Sequence, residues 1–445
     1  MSKLIVEVSQ IEEIKDHPNA DKMKVARIRG WEMCVGYDPD TGKAQFEIGD
    51  RVIYIPYDAV LPLTLANGPT DDPIGRLNVA KYCAPVKENG VLVGHRVRAA
   101  RLRGQKSFGV IVAIDPALGD DPNWEVGEDV ADHFGITKWE PPVRSTDGDA
   151  ERPHARFHTY VDIERYANFP TVLQPGEEVV FTEKIHGKNS RFGLVLDTND
   201  AGDAVWTWMA GSHGVRRKEF ITQVKRFEAQ GLVDNGVLAD TNVTVGQIFD
   251  GSGTSKWKAI EIRPNTEDGK LFFLATQVDE NGDPVQAQSE FWKMLTQPVR
   301  DLLEFVKDQL DWPEPKYSVI LFGEIYGSAV QDLTYGMKDG KRAMRAFDIA
   351  VNGTYLDYEA KVDLCQQFNV PLVPFLYRGP FSVDEMNKHT DGKTTICEQG
   401  GKTHIREGVV IIPIKERMCT EVGRVIFKSV SCDYLARSGA EDFGE

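Results

Sequence analysis

The sequence predicts an α+β protein: a small antiparallel β-barrel at the N-terminal end, then a larger domain of antiparallel sheets flanked by helices. A chain of 445 residues is longer than one hydrophobic core usually organises. Short β-like runs separated by glycine and proline, such as FEIGDRVIYIP and FGVIVAI, fill roughly the first 135 residues, which is typical of a barrel or sandwich. The remainder alternates β-like runs with a few stretches of helical periodicity.

The boundary between the two parts is predicted from composition. The stretch EPPVRSTDGDAERPHARF is rich in Pro, Gly, Asp and Arg, as linkers often are. We therefore predict a first domain at residues 1–140, a linker at 141–156 and a second domain at 157–445.

Within the second domain, the pattern predicts one helical region and several strands. Apolar residues recur at helical spacing over 289–310, where Pro298 interrupts the run. Strands are predicted at Tyr317–Phe322, Met344–Ile349, Gly408–Ile414 and Val425–Lys428.

Composition excludes several classes of protein. No apolar run is long enough to span a membrane, and the opening MSKLIVEVSQIEEIKDH becomes charged too early for a secretory signal, so we expect a cytoplasmic protein. The six cysteines form no Cys-x-x-Cys pair, which argues against a zinc ribbon and against a disulfide framework.

The net charge of −16 opposes binding to a polyanion, but one segment runs against it. GHRVRAARLRGQKS, residues 94–107, contains five Arg or Lys and no acid. Such a run is either one exposed face of the barrel or a set of phosphate contacts.

Several ionisable residues lie at the edges of apolar β-like runs, where side chains from different strands can converge over a sheet surface. A single lysine at a strand edge is usually an ordinary solubilising charge, so the ordered set carries the argument. Its members are Lys184 in FTEKIHGKNSRFG, Glu324 in VILFGEIYG, Phe347 and Asp348 in MRAFDIAV, Glu407 in REGVVIIP and Lys428 in RVIFKSVS.

This ordered set resembles the covalent nucleotidyltransferase superfamily of ATP-dependent ligases and RNA-capping enzymes. KIHGKN is most similar to the RNA ligases related to nick-sealing and RNA-editing enzymes, and the N-terminal segment resembles an OB-fold module that one branch carries ahead of its catalytic domain. The resemblance implies an OB-fold nucleic-acid-binding domain followed by an adenylyltransferase domain with an ATP-grasp-like ligase fold.

The implied activity is ATP-dependent joining of RNA 3′-OH and 5′-phosphate ends. It uses ATP and Mg²⁺ or Mn²⁺ and proceeds through a lysyl–AMP intermediate and an adenylylated 5′ end. The implied partner is RNA, held in a nicked or bridged duplex, and a monomer is favoured. Two alternatives stay open: a GTP-dependent capping-type guanylyltransferase, and a non-catalytic OB-fold nucleic-acid-binding protein.

The resemblance also assigns roles by position. Lys184 is the nucleophile, and a free lysine must lose its proton at a cost of roughly 4 kcal/mol near neutral pH. Acidic neighbours oppose that loss unless divalent cations neutralise them. The remaining assignments are Glu183 for adenine recognition, Phe347 and Val410 for the two faces of the purine, Glu324 for ribose or metal, Glu407 for metal, Lys428 for the α-phosphate, Asn189 for the nucleic acid end, and Arg216 as one of three nucleotide-contact candidates with Ser212 and Arg217.

Three departures from the family pattern leave questions open. His186 stands where many members have Asp, so its role is undecided. The final motif usually reads Lys-x-Lys, whereas this chain has Ile426 before Phe427 and Lys428, with Arg424 available to compensate. The long separation of Lys184 from Glu324 predicts an insertion within 233–312.

Overall fold

A computed structural model describes residues 3–66, 79–88, 91–139, 149–199, 201–222, 224–251, 255–264, 270–397 and 403–437. The chain divides into two compact units, and each is assembled from separate segments. The first unit comprises Met1–Pro142, Val161–Ile185 and Pro374–Phe443; the second comprises Val143–Tyr160, His186–Val373 and Gly444–Glu445. Residues 141–148 of the predicted linker lie outside the described residues, and the predicted domain boundaries stay a prediction.

The N-terminal part of the first unit is built from short antiparallel strands, as predicted. The central strand Arg51–Ile55 places Ile53 and Ile55 in one core cluster and Val52 and Tyr54 in another, because successive side chains point to opposite faces. The strands, grouped by sheet, are Glu7–Gln10, Arg51–Ile55 and Val110–Ala113; Glu13–Asp16, Met23–Ile28, Trp31–Asp38 and Lys43–Ala44; Thr137–Lys138, Ala59–Pro62, Val91–Arg96 and Ala84–Glu88; and the hairpin Ala100–Leu102 with Gln105–Ser107. Short helical turns are Leu63–Ala66, Ala80–Tyr82 and Pro116–Leu118.

The rest of the first unit is a five-stranded sheet. In spatial order its strands are Glu164–Arg165, Phe427–Val430, Gly408–Pro413, Glu178–Lys184 and Phe375–Pro380. Phe181, Val409 and Phe427 are fully buried in one core cluster, onto which the helix Val383–Thr390 packs through Met386. The remaining elements are the helices Tyr166–Asn168 and Cys432–Leu435 and the hairpin Met418–Cys419 with Gly423–Arg424.

The second unit is organised around a six-stranded antiparallel sheet. Its strands in spatial order are Arg216–Arg217, Ala204–Ser212, Lys188–Thr198, Ser318–Gly327, Arg342–Val351 and Thr354–Tyr355. Apolar residues of this sheet form one core cluster with residues of three helices, Glu290–Met294, Gln297–Asp308 and Tyr358–Gln367. The predicted helical region is two helices, because Pro298 fits only the first turn of the second helix, where its missing N–H has no intrahelical partner to lose.

In chain order, an additional small sheet with its own core follows the strand Ala204–Ser212 and precedes the strand Ser318–Gly327 of the main sheet. Its strands are Val224–Glu228, Leu271–Val278, Lys256–Pro264 and Ile248–Asp250, with the helix Ala229–Asp234. Phe249, Trp257 and Phe273 are its buried aromatic residues. The paired strands Phe220–Thr222 and Gln286–Gln288 flank it in sequence, and the extra sheet overlaps the predicted insertion at 233–312.

Two strand bounds differ from the prediction in a way that affects candidate residues. The strand predicted to end near Phe322 extends to Gly327, because Ile325 and Tyr326 pair with the neighbouring strand and are buried. Glu324 therefore lies inside its strand. Lys428 is the second residue of its strand, which continues to Val430.

The described part of the chain has no helix that could span a membrane. None of its helices combines the length and apolar character that crossing a bilayer requires.

Candidate active site

The predicted nucleophile is the last residue of a buried strand. Lys184 ends Glu178–Lys184 opposite Gly408, and its Nζ donates a hydrogen bond of 2.5 Å to Glu407 Oε1. The Lys184 side chain is 16% exposed and that of Glu407 only 2%. The amine is thus held by a carboxylate in surroundings where solvent weakens the attraction little.

Strand register places Lys428 and Val410 on the same side of the sheet as Lys184. Val410 lies opposite both Thr182 and Lys428, and directly opposed residues of antiparallel strands project to the same face. Lys184 is two residues beyond Thr182, so it shares that face. The structure therefore brings three predicted site residues, Lys184, Val410 and Lys428, to one face of the five-stranded sheet.

Two glycines permit close backbone approaches beside the predicted motifs. A Cβ at Gly408 would lie 2.2 Å from the backbone oxygen of Ser429, and one at Gly187 would lie 2.2 Å from the backbone oxygen of Ile325. Any larger residue at either position must displace a paired strand. Steric fit within each unit thus explains the glycines that follow Glu407 and His186.

Glu183 projects to the opposite face of the five-stranded sheet from Lys184. Its Oε2 accepts hydrogen bonds from the Thr395 backbone N at 2.9 Å and from Thr395 Oγ1 at 2.8 Å, while Oε1 accepts one from Thr394 Oγ1. The residue is only 1% exposed. Both oxygens of the Glu183 carboxylate are therefore occupied by hydrogen bonds to the segment that contains Thr394 and Thr395.

In the second unit, Asn189 and Glu324 face each other across neighbouring strands. Both are partly exposed, although Asn189 Oδ1 itself is buried and has no hydrogen-bond partner among the described residues. Buried polar atoms are seldom left unsatisfied in native proteins. Asn189 therefore presents an acceptor that a bound molecule can use.

Phe347 and Asp348, adjacent in sequence, have different surroundings. The register shift between Phe322 and Gly323 leaves Phe347 as the extra residue of a β-bulge, half-buried, with its ring centroid 4.8 Å from that of Tyr160. Asp348 is buried and accepts hydrogen bonds from Lys361 Nζ at 2.7 Å and from Tyr160 at 2.5 Å. Asp348 thus belongs to a buried ion pair with Lys361.

The arginines proposed as nucleotide contacts both have acidic neighbours. Arg216 Nε lies 2.7 Å from Glu151 Oε2, and Arg217 Nη1 lies 2.6 Å from Asp149 Oδ1. A nucleotide phosphate would have to compete with a carboxylate at either position.

Arg191, which the sequence analysis does not single out, is a buried arginine on the strand of Asn189. It lies two residues beyond Asn189 in the same strand and donates to the backbone oxygens of Phe157 at 2.5 Å and Ser212 at 3.0 Å. Burial lowers the pKa of Arg191 to about 10. The period-2 spacing from Asn189 was the one signal that could have identified it.

His186 is fixed by two residues of the loop that follows Gly327. Its backbone N donates to the Tyr335 hydroxyl at 2.6 Å, and its Nε2 lies 2.8 Å from Asp332 Oδ1. Neither partner was predicted, since nothing in the spacing of QDLTYG distinguishes it from an ordinary loop.

The basic run of the N-terminal part is largely paired within the first unit. Arg96 Nη2 lies 2.6 Å from Asp58 Oδ1, and Arg101 and Lys106 contact Asp433 at 3.3 and 2.8 Å. The hydrogen bond from Lys106 holds the pKa of Asp433 below its ordinary value. Three of the five cations in the run therefore already have acidic partners.

The described residues contain no group of three or more His, Cys, Asp or Glu side chains placed to bind a metal ion. Mg²⁺ commonly binds through one or two carboxylates together with substrate phosphates. The single buried carboxylate of Glu407 fits that mode of binding.

Comparison with known proteins gives a consistent result. A family model described as RNA ligase matches residues 177–430, and a model of an OB-fold domain matches residues 5–114. A structure of Naegleria gruberi RNA ligase with PPi is 20% identical, covers 97% of this chain and 98% of its own, and has a TM-score of 0.57. A mutant of that ligase with ATP and Mn, also 20% identical, covers the same shares with a TM-score of 0.59. No curated protein sequence matches the chain.

Proposed function

Because the chain belongs to the RNA ligase family, we propose that it joins RNA 3′-OH and 5′-phosphate ends with ATP, through a covalent AMP on Lys184. One observation carries this proposal: Lys184 ends a rigid strand against the buried carboxylate of Glu407, on the sheet face that also bears Lys428. A nucleophile must be held by fixed surroundings, and strand ends in a packed sheet supply them.

The structural neighbours support the choice of nucleotide. The Naegleria gruberi RNA ligase has been solved with PPi, with ATP and Mn, and with AMP and Mn. In lysine adenylylation ATP is the substrate, PPi is the leaving group and AMP is the group transferred to the lysine. We infer the same chemistry here.

In the first step Lys184 Nζ attacks the α-phosphorus of ATP. A P–N bond forms, the bond from the α-phosphorus to the bridging oxygen breaks, and pyrophosphate leaves with that electron pair. The ammonium must first release its proton, which the charge of Glu407 opposes. A divalent ion at Glu407 would supply the compensating positive charge, and Lys428 would stabilise charge on the α-phosphate oxygens.

The other predicted residues take binding roles. Phe347 is proposed to stack on the purine, Val410 is a second candidate purine contact, and Glu324 is proposed to bind ribose or metal. Since both carboxylate oxygens of Glu183 are engaged, any adenine contact by Glu183 would come from its main chain. Arg216 remains a candidate only if the nucleotide displaces Glu151.

In the second step AMP passes from Lys184 to the 5′-phosphate of one RNA end, and in the third the 3′-hydroxyl of the other end displaces AMP. Asn189 is proposed to contact the RNA end through its buried, unsatisfied Oδ1. We further propose that the ends are presented in a nicked or bridged duplex and that the protein acts as a monomer in the cytoplasm.

Covalent labelling tests this function. The full-length protein is incubated with Mg²⁺ and either ATP or GTP labelled at the α-phosphate, and the denatured protein is assayed for an acid-labile, alkali-stable label. We expect label from ATP, absent in Lys184→Ala and retained in Lys388→Ala, which removes an exposed lysine of the same unit. Label from GTP alone would favour a guanylyltransferase, and no label from either nucleotide would contradict the proposal.

A further inference from the structure

Arg406 is a buried cation with two guanidinium nitrogens that no described residue hydrogen-bonds. The residue is 9% exposed, and its Nε and Nη1 are buried without a hydrogen-bond partner. Its backbone N donates to Gly392 at 2.8 Å, but the described residues provide no acceptor for these two guanidinium nitrogens. Burying a charge without a partner is strongly unfavourable, so such groups are rare in native proteins.

Other buried arginines of the same unit show what is missing. Arg96 bonds Asp58 through Nε at 2.9 Å and Nη2 at 2.6 Å, and Arg424 bonds Glu416 through Nε at 2.8 Å and Nη2 at 2.5 Å. Each presents two N–H groups to one carboxylate. In Arg406 the unpaired nitrogens are Nε and Nη1, and no carboxylate of the described residues bonds either of them.

The position of Arg406 is well defined. A Cβ at Gly392 would lie 2.8 Å from Arg406 Nη2, so the glycine leaves the space that the guanidinium uses. The turn at Gly392 is itself fixed, because Asp391 Oδ1 accepts a hydrogen bond from Ser431 Oγ at 2.6 Å. The guanidinium therefore lies in a place formed before any ligand arrives.

Arg406 also lies beside the chemistry proposed for this protein. It directly precedes Glu407, whose carboxylate contacts Lys184 Nζ at 2.5 Å. We propose that Arg406 is a phosphate-binding residue that offers its guanidinium N–H groups to phosphate oxygens, an arrangement that arginine favours over lysine. The inference rests on the proposed function for the source of the phosphate, which is either the pyrophosphate part of ATP or the 5′-phosphate of an RNA end.

Two binding measurements distinguish these sources in the full-length protein. One titrates sodium pyrophosphate with Mg²⁺ by calorimetry, and the other titrates a fluorescent RNA bearing either a 5′-phosphate or a 5′-hydroxyl. If Arg406 binds the pyrophosphate part of ATP, Arg406→Gln should weaken pyrophosphate affinity by about 10- to 100-fold, because charged hydrogen bonds are lost. If Arg406 binds the RNA 5′-phosphate, the variant should instead reduce the affinity ratio of 5′-phosphate to 5′-hydroxyl RNA by about the same factor. Arg417→Gln is the matched control, because Arg417 is an arginine of the same unit already paired with Glu177.

Wild-type affinity of Arg406→Gln in both titrations would overturn the inference. Neither titration requires catalysis, so a wild-type protein that takes no label from ATP would contradict the ligase proposal while the pyrophosphate titration still tests Arg406.

Thermal unfolding gives an independent check. Arg406→Met removes an uncompensated charge, so without ligand its Tm should equal or exceed that of the wild type. Arg417→Met leaves Glu177 without its partner and should lower Tm by about 2–4 °C. A similar fall in Tm for Arg406→Met would show that Arg406 has a structural partner and would contradict the inference.

Discussion

The two faces of the five-stranded sheet treat adjacent residues of one strand in opposite ways. On one face Glu183 accepts three hydrogen bonds beside a cluster of fully buried apolar residues. The other face bears Lys184 and Lys428, and Lys184 contacts the buried carboxylate of Glu407. We propose that a nucleotide and a divalent cation bind to these charged groups. One face therefore holds the fold together, and the other is the face on which we propose the chemistry.

The largest expected effect comes from the face that bears Lys184. Glu407→Gln keeps the shape of the side chain but removes the charge proposed to hold a divalent ion, so AMP transfer to Lys184 should slow by about 1,000-fold at saturating ATP. Single-turnover labelling measures this rate. A labelling rate within about threefold of the wild-type rate would remove Glu407 from the proposed mechanism.

Lys428→Ala should have the next largest effect. Loss of the cation proposed to stabilise the α-phosphate oxygens should slow adenylylation by about 100-fold and leave unfolding by urea close to wild type. Lys393→Ala, which changes an exposed lysine of the same unit, is the control. Near-normal AMP transfer in Lys428→Ala would mean that this lysine serves the sheet and not the nucleotide.

Gly187→Ala sharpens the comparison from the second unit. The added methyl would lie 2.2 Å from the backbone oxygen of Ile325, and relieving that overlap should lower the free energy of unfolding by about 2 kcal/mol. At Gly214 a Cβ meets nothing within 4 Å, so Gly214→Ala should change the free energy of unfolding by less than about 0.5 kcal/mol. Equal stability of the two variants in urea titrations would show that the corner at Gly187 tolerates a side chain.

The smallest effect is expected on the opposite face. Glu183→Gln replaces one acceptor oxygen by a donor, so the Thr394 or Thr395 hydrogen bonds are partly lost and the free energy of unfolding should fall by about 1–2 kcal/mol. AMP transfer at 25 °C should stay within about threefold of wild type. Loss of AMP transfer with unchanged stability would reverse the roles assigned to the two faces.

Sequence reasoning predicted the fold class and the family because both depend on local patterns. Alternating apolar runs, turn residues and the break at Pro298 are each read within a few positions. The RNA ligase and OB-fold matches confirm those expectations. The motif residues Lys184, Val410 and Lys428 could be placed on strands for the same reason.

What could not be predicted depends on partners far along the chain. Glu183 bonds Thr394, 211 positions away, and Asp348 bonds Tyr160, 188 positions away. Single-sequence patterns hold no information about which distant loop meets which strand. Glu324 was expected at a strand end because the pairing that extends its strand to Gly327 comes from another strand.

The central claim is that Lys184 carries AMP, and peptide mapping tests it most directly. The full-length protein is incubated with ATP and Mg²⁺, digested at alkaline pH to preserve a P–N bond, and analysed by tandem mass spectrometry. The account predicts AMP on Lys184 and on no other residue. AMP on a different lysine, or unmodified Lys184 in protein that has released pyrophosphate, would contradict it.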